Sequence, residues 1–336
     1  MSIQIIYSLP EDIWKSFVES HPNGNIFNSP EMFHVFEQAY GYQPKLYAAM
    51  DQTGRVLALM MPVMVCLRNG LLGRLTTRSI AYGGVLHIPD EEGRAALELL
   101  LRECSFQNRR SALFLEIRNL YDMGAAQDTL LACGYAYEDH LNYLVDITGT
   151  PDKIMQNINP HTRRNIRSAL KKGNVVINQV SQSELTIWYD LIKKSYINAN
   201  VPLADISLFR AAYNILVPKG MAKFYLARTE QAYVAAMVEL TYKDVIYGWY
   251  HGIDRSVNGM HAGELLMREI FRWGNENGCR VYDWGGAGKP GQPSGVREFK
   301  AKFGGKLVCY GRNTKIYSPQ LLNLSKWGYE IYRKLF

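Results

Sequence analysis

The feature that most constrains the fold is the interleaving of strand-like and helix-like segments along all 336 residues. Residues 45–51 and 55–65 flank the sequence QTG as the arms of a β-hairpin would, and residues 91–107 then have the spacing of an amphipathic helix. Further on, three strands between 222 and 253 precede a helix over 262–277. This order predicts an α/β or α+β fold with mixed sheets.

The length of the chain favours two hydrophobic cores over one, because a single core rarely grows beyond about 250–300 residues. Gly149 and Pro151 interrupt the pattern near residue 150. We therefore expect two domains, 1–150 and 151–336, each with a mixed sheet flanked by helices.

The composition indicates which partners and binding sites the protein can be expected to have. The chain has 38 Lys and Arg residues against 31 Asp and Glu, and the net charge of +7 favours nucleotides, phosphates or an anionic membrane surface. The five cysteines include no C-x-x-C and the seven histidines no H-x-x-x-H, so we expect no metal site and reduced thiols in a cytoplasmic protein. No apolar run approaches the length of about 18 residues that a transmembrane helix needs, so at most peripheral contact with the inner membrane face is expected.

A basic helix is predicted over 161–172, HTRRNIRSALKK, which holds five basic side chains and no acidic one. On a helical wheel the basic residues cover about half of the circumference. The narrow apolar arc opposite them consists of Ile166, Ala169 and Leu170. This pattern favours phosphate binding through Arg163 and Arg167, while a plain solvated face is the alternative.

Residues 247–286 give a strand, a turn with Gly259, a helix and a second strand in succession. The helix begins near Ala262–Glu264, so its free amides, including that of Gly263, could bind a pyrophosphate. GNAT-type acyltransferases use this order, although their pyrophosphate signature, Gln/Arg-x-x-Gly-x-Gly/Ala, is absent here.

The chain resembles the FemAB-like branch of the GNAT superfamily, which includes aminoacyl-tRNA-dependent peptidyltransferases that build peptidoglycan cross-bridges. The resemblance spans nearly the whole chain. It rests on the segments NIFNSPEMFHVFEQAYGYQPKLYAA (25–49), RSIAYGGVL (78–86), HTRRNIRSALKKG (161–173), YGWYHGID (247–254), the 265–278 helix, YDWGGAG (282–288) and REFKAKFGG (297–305).

The resemblance implies two tandem GNAT-like domains facing a cleft, and transfer of an acyl or aminoacyl group from an activated ester or thioester to an amine. The family's Phe–Lys pair, placed near the reacting carbonyl, aligns with Phe299 and Lys300. The helical arm that binds tRNA in the Fem-type enzymes has no counterpart here, since no long coiled-coil insertion is present.

These alignments suggest roles for the basic stretch 295–306, GVREFKAKFGGK. Aminolysis passes through a tetrahedral oxyanion, and Lys300 is placed to supply a positive charge against it. Arg297 and Lys302 would position phosphates of donor or acceptor, and Gly304–Gly305 would allow close backbone approach. A basic surface turn is the alternative.

Two further groups complete the candidate site. Asp283 could be the general base for the attacking amine, or a turn or N-cap residue. Tyr247, Tyr250 and His251 lie on one strand, where simple alternation puts Tyr247 and His251 on the face of Trp249 and Tyr250 on the other. One of these faces is expected to contact substrate.

The leading hypothesis is an acyltransferase that uses acyl-CoA or another activated acyl donor and no metal. Its acceptor would be an amine of a cell-wall precursor, a nucleotide sugar or an envelope glycan, as a small-molecule or nucleotide-linked substrate. Two alternatives remain open: an aminoacyl-tRNA-dependent peptidyltransferase that forms peptidoglycan cross-bridges, and a non-catalytic polyanion-binding module.

Overall fold

A computed structural model describes residues 2–66, 73–173, 175–254 and 261–335. The chain forms two compact units. The first comprises Met1–Asp139 together with Tyr310–Phe336, and the second is His140–Cys309.

The first unit contains two sheets, of strand order β1-β3-β4-β7 and β2-β5-β6-β8-β17-β9. Its strands are β1 (Gln4–Ile6), β2 (Tyr42–Pro44), β3 (Tyr47–Met50), β4 (Val56–Met60), β5 (Pro62–Cys66), β6 (Thr77–Ala81), β7 (Leu86–His87), β8 (Phe114–Arg118), β9 (Ala136–Glu138) and β17 (Arg312–Ile316). Its helices are α1 (Glu11–Ser20), α2 (Pro30–Glu37), α3 (Gly73–Thr76), α4 (Glu91–Asn108), α5 (Ala126–Ala132) and α12 (Pro319–Leu335).

Helix α4 supplies much of the core of the first unit. It buries a stripe at helical spacing that includes Leu97, Leu100, Leu101 and Cys104 against β3, β4 and β8. The predicted hairpin is confirmed, since β3 and β4 pair antiparallel with Tyr47 opposite Met60.

The second unit is built on one seven-stranded sheet of order β11-β12-β13-β14-β15-β10-β16. Its strands are β10 (Leu141–Asp146), β11 (Val176–Gln179), β12 (Ala222–Arg228), β13 (Tyr233–Tyr242), β14 (Val245–Ile253), β15 (Val281–Asp283) and β16 (Lys306–Cys309). Its helices are α6 (Pro151–Asn157), α7 (Pro160–Lys172), α8 (Leu185–Asn198), α9 (Ile206–Leu216), α10 (Ala262–Glu276) and α11 (Gly295–Ala301).

Helices cover both faces of this sheet. On one face α10 packs with α7 and buries Leu266, Ile270 and Phe271. On the other face α8 and α9 enclose Trp188, which is fully buried between the rings of Phe209 and Phe224. The predicted mixed α/β class is confirmed.

The basic helix predicted over 161–172 forms as α7, and a break separates it from α6. Pro160 disfavours helical backbone at the residue before it, so α6 ends at Asn157 and α7 begins anew with the Asn159 side chain accepting the backbone N–H of His161. Leu170 was expected on the buried arc but is 47% exposed, and Thr162 is buried instead.

The compact units differ from the predicted division into 1–150 and 151–336 because of long-range strand pairing. Strand β10 lies before residue 150, yet it pairs with β15 and β16 of the second unit. Strand β17 lies close to the C-terminus, yet it pairs with β8 and β9 of the first unit.

Within the described ranges, no helix is both long and apolar enough to cross a membrane.

A close backbone approach explains the pair Gly304–Gly305. Gly305 has φ of +98°, and a Cβ built there would lie 2.6 Å from the carbonyl oxygen of Leu144 on β10. The Cβ of an alanine at 304 would lie 2.5 Å from the carbonyl oxygen of Asn157. The predicted close approach is therefore made to the chain's own backbone.

We expect Gly305→Ala to lower the free energy of unfolding by about 3 kcal/mol, because the strain of a positive φ adds to the clash with Leu144. Gly291→Ala is the matched control, with φ of +72° and no atom within 4 Å of the added Cβ. It should cost only about 1 kcal/mol. Equal losses in chemical denaturation would show that the contact with Leu144 is unimportant.

Candidate active site

The candidate site forms where two parallel strands separate. Strands β14 and β15 pair in parallel from Val245 opposite Val281 to Tyr247 opposite Asp283, and β14 then continues to Ile253 paired with β13. A pocket of about 460 Å³ opens at this point. Its walls include Trp249, His251 and Ile253 from β14, Trp284 after β15, Phe299 and Lys300 from α11, and Ser195 from α8.

A β-bulge determines which side chains of β14 share a face. Val238 pairs with Tyr250 but the next residue, Glu239, pairs with Gly248, which leaves Trp249 as the extra residue. Gly248 and His251 therefore share one face, while Tyr247 and Tyr250 share the other. The expectation that Tyr247 and His251 lie on the same face is wrong, because simple alternation does not survive a bulge.

His251 is held by a buried carboxylate. Its Nε2 donates to Glu239 Oε1 at 2.9 Å, and the Tyr282 hydroxyl donates to Glu239 Oε2 at 3.0 Å. Glu239 and Tyr282 are fully buried. With Nε2 carrying the proton, Nδ1 of neutral His251 is the nitrogen that can accept one.

Lys300 brings an ammonium group to the pocket. Its Nζ donates to the backbone oxygens of Trp284 at 2.7 Å and Gly286 at 2.5 Å, and lies 5.5 Å from the centre of the Trp284 ring. Burial lowers the pKa of Lys300 to about 8, against the opposing effect of Asp283 and Glu239. Lys300 is thus mainly charged at neutral pH and neutral in more alkaline solution.

Asp283 occupies a structural position at the end of β15. Its Oδ1 accepts from Asn142 Nδ2 at 2.6 Å and from the backbone N–H of Gly285 at 2.7 Å. Burial raises the pKa of Asp283 above its ordinary value. It is not among the residues that line the pocket, and the geometry matches the turn role named as the alternative.

Helix α10 begins next to the pocket wall. A Cβ added at Gly263 would lie 2.5 Å from Ile253 Cδ1 and 3.7 Å from Phe299 Cζ, and both of these side chains line the pocket. Phe299 also packs against Trp284. The predicted turn at Gly259 lies outside the described residues.

The basic stretch 295–306 is a helix followed by a turn, not a loop throughout. Ser294 caps α11 by accepting the backbone N–H of Arg297. The Arg297 guanidinium donates to the backbone oxygens of Ala287 at 2.8 Å and Lys289 at 2.5 Å, so it braces the Gly-rich segment before α11. Its predicted contact with phosphate stays a prediction.

The remaining predicted residues do not line this pocket. Arg167 and Lys302 are exposed, and Arg163 Nη1 donates to the backbone oxygen of Gln156. Tyr247 is buried, and Tyr250 packs against Phe209 on the α8–α9 side of the sheet. Of the predicted site residues, the structure thus brings His251, Phe299 and Lys300 together.

Sequence reasoning missed Glu239, Tyr282 and Trp284. Glu239 had a usable signal, because it is the only charged residue in the otherwise apolar strand β13 and a buried charge needs a specific partner. Trp284 is 2% exposed, and its indole Nε1–H is a buried donor with no acceptor in the described part of the chain. No cluster of His, Cys, Asp or Glu side chains among the described residues could hold a metal ion.

Comparison with known proteins identifies the domain. Residues 160–301 match the family described as acetyltransferase (GNAT) domain, and this range includes His251, Trp284 and Lys300. The predictions of a GNAT-type domain and of an acyltransferase are confirmed. A search of curated proteins finds no match.

Solved structures share the fold over nearly the whole chain. FemX superimposes with a TM-score of 0.73 at 15% identity, covering 96% of this chain and 99% of FemX. A tandem GNAT protein from the clavulanic acid biosynthesis pathway gives 0.58 at 13% identity, covering 95% of this chain and all of that protein. L-PGS from Bacillus licheniformis gives 0.57 at 14% identity, covering 95% and 97%. These likenesses confirm the tandem GNAT fold and the structural resemblance to the FemAB-like branch.

Replacement of the buried carboxylate should be costly. We expect Glu239→Ala to lower the free energy of unfolding by about 3–5 kcal/mol, because the Tyr282 hydroxyl and His251 Nε2 lose their acceptor in a buried site. Glu276→Gln, at an exposed ion pair with Arg272, should cost less than about 0.5 kcal/mol. Chemical denaturation of both variants checks this, and similar losses would contradict the role of Glu239.

Proposed function

We propose that this acyltransferase moves a small acyl group from a thioester donor such as acyl-CoA to an amine on a cell-wall precursor, a nucleotide sugar or an envelope glycan. One observation carries the proposal: the ammonium group of Lys300 and a histidine backed by the Glu239 carboxylate line the same pocket beside the separated strands. An acyl-transfer step needs these two chemical functions, a cation and a base.

The amine of the acceptor attacks the carbonyl carbon of the donor, and a C–N bond forms as the carbonyl oxygen becomes an oxyanion. Lys300 stabilises that oxyanion. Its ammonium is already oriented by the Trp284 and Gly286 carbonyls, so little reorganisation is needed as charge develops. A positive charge in such a buried site lowers the barrier by a few kcal/mol.

His251 acts as the general base. Its Nδ1 takes the proton from the attacking nitrogen, and Glu239 stabilises the imidazolium that results, as the aspartate of a catalytic triad does. Collapse of the intermediate breaks the bond to sulfur, and the departing thiolate takes the proton from His251. The same steps serve an oxygen ester donor, with an alkoxide as the leaving group.

The dimensions of the pocket favour a small donor. A volume of about 460 Å³ suits an acyl chain with its thioester and the reacting end of an acceptor. The N-terminus of α10 at Gly263 lies beside the pocket, and its free backbone amides would bind an anionic group of the donor there. The resemblance to the Fem-type enzymes keeps aminoacyl-tRNA as the second candidate donor.

The donor is tested directly with radiolabelled acyl-CoAs and, separately, with charged tRNA, each incubated with amino-sugar and peptidoglycan-precursor acceptors. We expect label to move from acyl-CoA, and Lys300→Met to lower the rate by about 100-fold or more, since one oxyanion donor contributes a factor of about 10² to 10³. Lys193→Met, at an exposed lysine of α8, is the control. If label moves only from tRNA, the donor is aminoacyl-tRNA and not acyl-CoA. If no label moves from either donor, the proposal is wrong.

The pH profile gives an independent test of Lys300. Because the charged form has a pKa of about 8 and is the form that stabilises the oxyanion, activity should fall about tenfold per pH unit above pH 8. Lys300→Arg keeps its charge over that range and should lose the alkaline decline, whatever its absolute rate. A wild-type rate that stays level to pH 10 would show that the charge of Lys300 is not required.

A further inference from the structure

Three arginines lie on one face of the six-stranded sheet in the first unit. Arg78 lies on β6, Arg118 on β8 and Arg312 on β17. Ile80 pairs with Glu116, and Arg118 pairs with Arg312, so strand alternation places all three arginines and Glu116 on the same side of the sheet. The opposite side carries Leu115 and Ile117 and packs against the core that contains α4.

Two of these arginines share one carboxylate. Arg118 Nε donates to Glu116 Oε1 at 2.7 Å, and Arg312 Nη1 lies 3.3 and 3.4 Å from the two oxygens of the same group. The guanidinium of Arg118 also lies over the Tyr82 ring, 5.0 Å from its centre, and Tyr82 stacks on Phe36. Both guanidinium groups are therefore fixed before any ligand arrives.

Arg78 has a different environment. It forms no ion pair with a described residue, and its buried Nε–H has no acceptor there. Arg78, Arg118 and Arg312 all act electrostatically on the Tyr82 side chain, so all three charges lie within electrostatic range of that ring. A buried guanidinium donor without an acceptor is costly unless something else supplies one.

Carboxylates on this side of the sheet act on two of the arginines. Glu116 bonds to Arg118 and Arg312, and the exposed Glu138 lies opposite Arg312 on β9. Burial and the neighbouring Arg118 lower the pKa of Arg312, as expected for like charges held together.

We propose that Arg78, Arg118 and Arg312 form an anion site in the first unit that binds a phosphate group of a ligand. The side chains of Arg118 and Arg312 keep 33% and 23% of their surface exposed, so a small anion can reach them. Guanidinium groups bind phosphate and carboxylate through paired hydrogen bonds. Donors that come from three separate strands match a tetrahedral phosphate better than a planar carboxylate. The proposal does not depend on acyl transfer, and its test measures binding alone.

The experiment titrates pyrophosphate into the full-length protein by calorimetry at low salt, with wild type, Arg78→Gln and Arg94→Gln. Arg94 is an exposed arginine of α4 in the same unit and gives the same change in charge. We expect Arg78→Gln to weaken pyrophosphate binding by about tenfold or more, since charge-assisted bonds contribute a factor of that order, and Arg94→Gln to change it less than about twofold. Because Arg78 forms no ion pair with a described residue, the melting temperature of ligand-free Arg78→Gln should be no lower than that of wild type.

Three results would overturn the site. They are absence of pyrophosphate binding by wild type at millimolar concentration, equal binding by wild type and Arg78→Gln, and equal losses in the two variants. Binding of glutarate as tight as that of pyrophosphate would overturn the phosphate assignment. If Arg78→Gln does not fold, Arg78→Lys keeps the charge but loses the planar donor pair, and we expect binding weakened by about three- to tenfold.

Discussion

The candidate site depends on a parallel strand pair that ends early. Strands β14 and β15 pair over three positions only, up to Tyr247 and Asp283, and a parallel connection requires the chain to cross over through α10. The crossover brings the start of α10 to the place where the strands part, and the chain after β15 supplies Trp284. Beyond Tyr247 and Asp283 the two strands are no longer paired with each other, and the pocket opens where they separate.

Buried charge is the second determinant. Glu239 sits in the middle of an apolar strand at full burial, which is tolerated because Tyr282 and His251 both donate to it. Lys300 is desolvated as well, and backbone carbonyls rather than a carboxylate hold its ammonium. Since no ion pair neutralises Lys300 in the described structure, its charge remains available to a reacting group.

Much of the second unit could be predicted from sequence, because local patterns determine it. The sequence pattern located α10 and the three strands β12 to β14 to within a few residues. Pairings between distant segments were missed, such as β10 with β16, since short strands carry little local signal. In the site, the family resemblance correctly indicated Phe299 and Lys300 as pocket residues. The bulge at Trp249 could not be predicted, because it depends on the register between β13 and β14 and not on the alternation of residues along one strand.

The path of the chain has a consequence for biosynthesis. Strand β17 lies between β8 and β9 in the sheet of the first unit, but it is made only after the whole of the second unit. As the chain leaves the ribosome, β8 and β9 therefore present unpaired edges until β17 emerges. The second unit is continuous in sequence and can complete its own sheet earlier. The first unit is thus completed only after the second, and its open edges are exposed to aggregation during that time.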